Sequence, residues 1–544
     1  MTVAWIIIPA RGGSRGVPRK NVRLLGGVPL ISHSTRKALR VCGHERVLVI
    51  TDDDEIAAIA AADGVRVLRE ARTTGSATLD DVAMTVAHSI VESGAQEDDV
   101  FLTIQPTCPF VREERISEAI AKLQNGAGSV LTVSDDRHLT WQLNERGAPV
   151  PEYERRLNRQ QLPPRYRESG AIIGCRLKDL LAYRTRIMPP TSLIEVDAEE
   201  ALDIDTFSDW VTAEHIISRR NILLRTIAGP KVGMGHVHRM IAVAQELARH
   251  RITISIDPQQ ALALQFFEGY PFPVVAATDN EFIELAQQQA PDLVILDQLD
   301  TQPDFVRALK SAARKVIVFE DLGPGALVAD LLISDLYKNL EVPNERQLSG
   351  VSNAILAPNF ESDLLRAEFR PSVEHILVLF GGTDPSRLTG KALRSLALAE
   401  FAGTVSVVIG MGAEPIDSLE SYGLKGEILR NVQHMPSVMS RADLALSSGG
   451  RTITELISLG VPVLCMCQNE KELTHTHASA RFGVVNIGLG TLLDESTVAS
   501  HIRHMMISPD LRRMLRQRGL YETAGRSNAA ILRRTARILG WDGI

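Results

Sequence analysis

The sequence predicts a chain of repeated α/β units, and three observations carry that prediction. Short apolar, β-rich runs alternate with segments of helical period along most of the chain. A strand running into a glycine-rich turn occurs at "IIIPARGGSRGVPRKN" (6–21), again at "NILLRTIAGPKVGMGHVHRMIAVAQELARH" (221–250), and again at "EHILVLFGGTDP" (374–385). The length of 544 residues, 44% of them hydrophobic and 23% charged, is enough for at least two domains at roughly 150 to 250 residues each.

Taken in order, "VAWIII", "RVLVIT", "VFLTIQ" and "SVLTV" read as buried strands. Between them "ISHSTRKALRV", "DEIAAIAAA", "DVAMTVAHSIVES" and "ERISEAIAKLQ" read as helices, which makes this an α/β sheet. A polar stretch with little pattern, "NERGAPVPEYERRLNRQQLPPRYRES", precedes "GAIIGCR" and "EVDAEEALDIDTFSDWVTAEHIIS". The first domain closes there, spanning 1–220. In the second domain, 221–544, the strands "ITISID", "PDLVILD", "KVIVFED" and "ADLLIS" are followed by "EHILVLF", "TVSVVIG", "LALSSGG" and "VPVLCMC". Two successive halves, about 221–365 and 366–544, predict a pair of Rossmann-like lobes with a cleft between them. No short repeat or low-complexity linker interrupts the pattern.

The formal net charge of -7 and the lack of a polybasic tract speak against nucleic acid and anionic membranes as partners, leaving small molecules. Five cysteines (Cys42, Cys108, Cys175, Cys465, Cys467) show no CxxC pair, so neither a disulfide framework nor structural zinc is expected, which suits a reducing cytoplasm. "MTVAWIII" lacks a basic leader and no segment reaches about 18 uninterrupted apolar residues, so neither a signal peptide nor a membrane span is expected.

The turn at Gly12 and Gly13 can direct backbone N–H groups inward, while Arg11, Arg15, Arg19 and Lys20 put positive charge around it, as a polyphosphate cradle requires. It is neither a Walker A loop nor GxGxxG, and a solvated basic loop is the alternative. In "LDIDTFSD", Asp203 and Asp205 are two apart, which on an extended segment puts both carboxylates on one face, where oxygen ligands suit Mg²⁺. An acidic loop capping the following helix is the other reading. Metal and cradle together imply phosphoryl or nucleotidyl transfer.

"IIPARGGSRGVPRKN", "ITDDDEIA", "LTIQPTCPFVR", "RQQLPPRYRESGAI" and "LDIDTFSD", occurring in this order, resemble the CMP-sialic acid synthetase family of cytidylyltransferases over roughly residues 1–220. The resemblance implies a nucleotidyltransferase (GT-A-like) domain that binds CTP through Arg11, Gly12, Gly13, Ser14, Lys20 and Asn21. It implies Mg²⁺ on Asp203 and Asp205, and contacts to the sugar acid from Gln105, Arg159 and Arg167. In the implied reaction the anomeric hydroxyl of a nonulosonic (nine-carbon 2-keto) acid attacks the α-phosphorus of CTP, with Arg11 and Lys20 neutralising phosphate charge. Ser169 stands where the family often carries asparagine, a departure assigned to the sugar side. A homodimer through this domain is a further expectation.

In the second domain "GMGHVHR" sets His236 where a loop enters a helix, either aimed into the cleft as a general base or a capping or surface residue, while His238 and Arg239 are alternatively helix-surface residues. Two later glycine turns before helices, in "LFGGTDPSRLTGKAL" and "LSSGGRTITELISLGVPVL", favour phosphate, and Glu455 sits a turn into the second helix, placed for a ribose diol. With "VIVFEDL" and "ADLLIS", these motifs resemble the UDP-sugar hydrolase of the pseudaminic acid pathway and, more distantly, the GT-B glycosyltransferase that makes lipid II, over roughly 222–500. The resemblance implies a two-lobed GT-B-like domain in which His236 activates water. UDP-sugar contacts are implied at Gly235, Arg239, Gly381, Gly382, Ser448, Gly449, Thr452 and Glu455, with no metal required.

Cys465 and Cys467 alternate on a buried strand and read as core. His475 and His477, two apart, read as a solvated or substrate-adjacent loop. The basic C-terminal segments read as amphipathic helices packed on the lobe. The implied whole is a bifunctional enzyme that makes an activated nonulosonic acid, pseudaminic acid foremost, with a separate phosphoenolpyruvate-dependent synthase between its two steps. A C-terminal glycosyltransferase, or one domain reduced to a non-catalytic nucleotide-binding module, are the alternatives.

Overall fold

The computed structural model describes residues 3–13, 16–69, 78–229, 234–361, 366–410, 412–416 and 418–541. The chain divides into two compact units, Met1–Ser218 and Arg219–Ile544. No helix among the described residues is long and apolar enough to cross a membrane.

The first unit is built on one seven-stranded sheet of β1 (Ala4–Pro9), β2 (Val47–Thr51), β3 (Arg66–Arg69), β4 (Val100–Ile104), β5 (Ser129–Asp135), β6 (Tyr166–Arg176) and β7 (Thr191–Glu195). Its order is β7-β5-β6-β4-β1-β2-β3, parallel except for β6, which runs antiparallel to both β4 and β5. The continuous apolar run of β1 follows from burial on both faces. Ile6 and Ile8 enter one core cluster, Trp5 and Ile7 the other, because successive side chains point to opposite sides. Helices cover both faces, including α1 (Leu30–Cys42), and α2 (Phe207–Ile217) closes the unit behind a capping box of Thr206 and Asp209.

The polar stretch after β5 is not patternless. Trp141–Leu143 and Pro149–Pro151 pair as an antiparallel hairpin, and its last residues already belong to β6. Its exposed edges, with Trp141 58% and Leu143 70% accessible, remove the apolar periodicity by which strands are recognised in sequence.

The second unit holds two sheets, each entirely parallel. The first comprises β8 (Asn221–Thr226), β9 (Arg251–Ile256), β10 (Val274–Ala276), β11 (Leu293–Asp297), β12 (Lys315–Phe319), β13 (Leu331–Ser334) and β14 (Gln347–Ser349), in the order β10-β9-β8-β11-β12-β13-β14. The second comprises β15 (His375–Leu379), β16 (Thr404–Ile409), β17 (Lys425–Arg430), β18 (Leu444–Ser447), β19 (Val463–Cys467) and β20 (Val484–Leu489), in the order β17-β16-β15-β18-β19-β20. Counted within each sheet, both begin 3-2-1-4, the dinucleotide-fold order, so the unit holds two Rossmann-like lobes in succession. Helices α3 (Gly235–Glu246), α4 (Leu388–Leu398) and α5 (Thr452–Ser458) each follow the first or fourth strand of a lobe. The last helix, α6 (Asn528–Leu539), follows the second lobe in sequence but packs Ile531, Leu532 and Leu539 into the core of the first. Asn528, fully buried, anchors it by hydrogen bonds to both the carbonyl and the N–H of Leu356.

Candidate active sites

Ligands in such sheets gather at the carboxyl ends of the strands where the order reverses, between the first strand and the fourth. In the first unit that point is the end of β1 beside the end of β4. A cavity of about 220 Å³ lies there, lined by Pro9, Ala10, Arg11, Gly13, Lys20, Asn21, Ile50, Leu79, Val82, Gln105, Pro106 and Thr107. Arg11, Gly13, Lys20, Asn21 and Gln105 are thus brought together, while Ser14 and Arg15 lie outside the described residues.

The turn is braced from behind. The Gly12 N–H donates to Asp52 Oδ1 at 2.9 Å, so it does not point into the cavity as the cradle reading expects. Asp53 caps the helix Asp54–Ala62, and its carboxylate lies where a side chain at residue 12 would go: a Cβ there would meet Asp53 Oδ2 at 2.5 Å. Gly13, by contrast, has open space around it.

Lys20 is only 7% accessible, yet its ammonium is 3.0 Å from Asp205 Oδ1 and also donates to the Ile204 carbonyl. Ile204 is buried in a cluster with Val17, Leu25 and Trp210, which turns Asp203 and Asp205 to the other side of the extended segment. The helix behind them is capped by Thr206, so neither aspartate is spent as a cap. Asp203 Oδ1 is buried without a hydrogen-bond partner, and burial raises the pKa of this carboxyl, the neighbouring Asp205 adding to the effect. Asp205 is 71% exposed at its side chain. An orphaned buried oxygen beside an open carboxylate suits a hard divalent cation that completes its shell with other oxygens. Gly16 escaped the sequence reading. A Cβ there would overlap the Asp205 carbonyl oxygen, so a glycine is what lets the basic turn and the acidic segment touch.

Arg159 and Arg167 do not line this cavity. Arg159 is exposed, 4.0 Å from Asp135 at the end of β5, and Arg167 is exposed on β6. Ser169 is buried with its hydroxyl 2.8 Å from Thr132 Oγ1, a core contact rather than the sugar contact expected.

In the first lobe of the second unit, the reversal point brings the start of α3 to the end of β11. His236 Nδ1 is 2.7 Å from Asp297 Oδ1, which leaves Nε2 for other work when Nδ1 carries the proton. Arg239, expected on the helix surface or on the UDP-sugar, is instead fully buried. Its Nε and Nη2 donate to both oxygens of Asp297 at 2.7 and 2.6 Å, and its Nη1 donates to Glu320 at 3.1 Å. Its charged face is therefore turned inward, away from any ligand, whereas His238 is exposed. Burial alone would raise the Asp297 pKa, but Arg239 and His236 outweigh it and hold this carboxyl at about 2.

The sequence reading missed Asp297, Glu320 and Asp335, although they end or directly follow three successive strands, β11, β12 and β13. Glu320 sits at φ 49°, left-handed backbone that a glutamate adopts only under constraint. Ser334 Oγ, the Asp335 N–H and Arg239 all bond its carboxylate, and Tyr337 donates to its carbonyl. Burial and the adjacent Asp335 push the Glu320 pKa up. At Asp335 burial acts in the same sense but Arg451 overrides it, holding the carboxylate ionised. Arg451 comes from the second lobe, 3.1 Å from Asp335 Oδ1, and also donates to the Ile355 carbonyl. One chain of charges thus runs from His236 to the start of α5.

The second lobe repeats the pattern at β15 and β18. Gly381 adopts φ +82°, and Gly382 faces Met234, at the start of α3, across 3.8 Å to where its Cβ would be. A Cβ on Gly235 would stand 3.2 Å from Arg451. Ser448 is buried, and the Gly449 N–H is taken by Glu472 at 2.9 Å, so it is not a free donor to phosphate. Thr452 opens α5 behind Arg451, which offers no side-chain cap. Glu455, one turn in, has its pKa pushed up to about 7 by burial. His475 and His477 are buried, not solvated: their rings bond the carbonyls of Gly449 and Gly450 and so brace the glycine turn. Cys465 and Cys467 are core residues of β19.

A cation-walled cavity at a Rossmann-type reversal point, flanked by paired carboxylates, is the site of a nucleotidyltransferase-like α/β domain. A family model described as cytidylyltransferase matches residues 5–194. The CMP-N,N'-diacetyllegionaminic acid synthase of Legionella pneumophila is 32% identical over 221 residues, 39% of this chain and 94% of that protein. The chain belongs to the cytidylyltransferase family. An uncharacterised protein of Methanocaldococcus jannaschii is 28% identical over 270 residues, 46% of this chain and 56% of its own length. The spore coat polysaccharide biosynthesis protein SpsG of Bacillus subtilis is 26% identical over 311 residues, 54% of this chain and 90% of that protein. The chain thus spans little more than half of the archaeal relative but nearly all of the other two.

Proposed function

We propose that the first unit transfers CMP from CTP to a nonulosonic acid of the sialic, legionaminic or pseudaminic type. The observation that carries this reading is the convergence of Arg11, Lys20, Asn21 and Gln105 on one cavity, with Lys20 joined to Asp205. Arg11 and Lys20 hold the triphosphate by charge, and Gln105 orients the acceptor. The anomeric oxygen bonds the α-phosphorus, pyrophosphate leaves, and the hydroxyl proton is released. Asp203 and Asp205 would hold Mg²⁺, which supplies charge neutralisation on the phosphates. Arg159 and Arg167 would meet the acceptor carboxylate only from outside the cavity. The exposed hairpin bearing Trp141 and Leu143 supports a homodimer through this unit, which sedimentation of Trp141→Ser against the parent would test. CTP-dependent pyrophosphate release with nonulosonic acids tests the transfer, and its absence with every such acid would sink it.

For the second unit we infer hydrolysis of a UDP-2,4-diacetamido-trideoxyhexose to UDP and free sugar. The supporting observation is the His236–Asp297 pair at the lobe junction. His236 takes a proton from water, whose oxygen bonds C1 as the bond from C1 to the diphosphate oxygen breaks. The two-lobed form equally suits a glycosyltransferase. UDP release without an acceptor, lost in His236→Ala, supports the hydrolase. Release only with an acceptor makes the unit a transferase, and no release with either makes it a binding module. Hydrolysis followed by cytidylyl transfer leaves a condensation with phosphoenolpyruvate to a separate synthase, in the service of a surface glycan.

A further inference from the structure

We propose that the second unit carries an anion site, separate from His236 and from the glycine turns, that binds a phosphate-bearing molecule against helix α6. A cavity of about 340 Å³ opens beside this helix, its wall formed by Arg526, Arg533, Arg534, Arg537 and Ser352. At about 30 Å³ per water, that is room for roughly ten waters, more than a single inorganic ion fills.

Four guanidinium groups in one cavity repel one another unless something negative lies between them. The chain supplies little. Helix α6 contains no acidic residue, and Arg533 and Arg537 stand one turn apart, a like-charge spacing that weakens a helix. Among the described residues the only carboxylate within salt-bridge distance of the four is Glu361, 3.4 Å from Arg526 and already accepting the Asn528 N–H. Glu246 acts on Arg533 only through space. Arg534 spends one nitrogen on the Ser352 carbonyl at 3.0 Å, which fixes its fork at the cavity wall.

Arg526 gives the site depth. Its side chain is 3% accessible and held by the Ala354 carbonyl at 3.1 Å, so this charge is fixed in the wall before any ligand arrives. Hydrophobic packing of Ile531, Leu532 and Leu539 holds the rest of the helix rigidly behind the arginines. Arg526 and Arg534 are held in place while Arg533 and Arg537 reach the cavity from the exposed side of α6, and planar, always charged forks match phosphate oxygens better than a single carboxylate. The shared chemistry is a phosphate ester or diphosphate, free in solution or carried on a lipid headgroup.

The test compares the full chain with Arg533→Ala/Arg537→Ala and with the charge-keeping pair Arg533→Lys/Arg537→Lys. Pyrophosphate binding is measured by calorimetry at low salt, and co-sedimentation is measured with vesicles of phosphatidylcholine mixed with phosphatidylglycerol. Binding at the other two sites is common to all three proteins and subtracts out. A soluble ligand predicts that the alanine pair loses one class of pyrophosphate site, weakened at least about tenfold, with the lysine pair keeping part of it. A headgroup ligand predicts the loss in the vesicle measurement. Isotherms and sedimentation that are the same in all three proteins overturn the proposal.

Discussion

The same topological position is built in opposite ways in the two units. After β1, the paired aspartates beside the buried Lys20 leave charge open to solvent, with Asp205 71% exposed and one oxygen of Asp203 without a partner. After β8, Arg239, Asp297, Glu320 and Asp335 are buried and paired with one another, with Asp335 Oδ2 left without a hydrogen-bond partner, and one edge of the His236 ring remains for a ligand. On the proposed reading, phosphates and a cation would supply the charges that the first site lacks. The second is largely paired beforehand, and on the proposed reading that rigid support would hold the His236 ring in one orientation.

The largest expected effect breaks that contrast. Asp297→Ala leaves the Arg239 guanidinium buried without its main partner and should destabilise the second unit by about 3–5 kcal/mol. Denaturant unfolding followed separately for the two units should move the second transition and leave the first in place. Removing a charge from the open site should act on rate instead. Lys20→Ala should lower CTP-dependent pyrophosphate release by roughly 100-fold or more, with a stability loss well below that of Asp297→Ala. A stability loss as large as that of Asp297→Ala would show the two sites to be built alike.

Glycines sharpen the picture at a smaller scale. Gly12→Ala must displace Asp53 and should cost about 1–3 kcal/mol, whereas Gly13→Ala, facing open space, should be nearly silent in stability; thermal melts of the pair decide this. The smallest effect is one of pH. The Glu455 pKa lies above its ordinary value, so folding favours the protonated carboxyl. The stability this contributes is present in acid and is lost as the pH rises through about 7, roughly 2 kcal/mol after allowance for partial exposure. Glu455→Gln should flatten the stability of the second unit between about pH 4.5 and 7, where the parent declines.

The strands named from apolar runs coincide with the central strands of all three sheets, because a strand buried on both faces cannot hide its composition. The short edge strands β10 and β14, the half-exposed edge strand β17 and the exposed hairpin at Trp141 carry no such signature. Among site residues, the glycine turns and Lys20 stood out because turn geometry and charge density are local properties. Asp297 and Glu320 did not, being 58 and 81 residues from Arg239 in sequence. Three strands in a row ending in a carboxylate was the signal available, and its meaning depends on those ends being neighbours.

By itself, the sequence determined that this chain folds as serial α/β units, each opening with a strand and a glycine turn, because periodicity and turn chemistry act over a few residues. Only the tertiary structure decided which charges meet. It turned Arg239 inward, gave the Gly12 N–H to Asp52, and buried His475 and His477 behind a glycine turn. The reason is physical: side chains from distant segments become partners only where strand order brings their ends together, and that order follows from how whole sheets bury their faces.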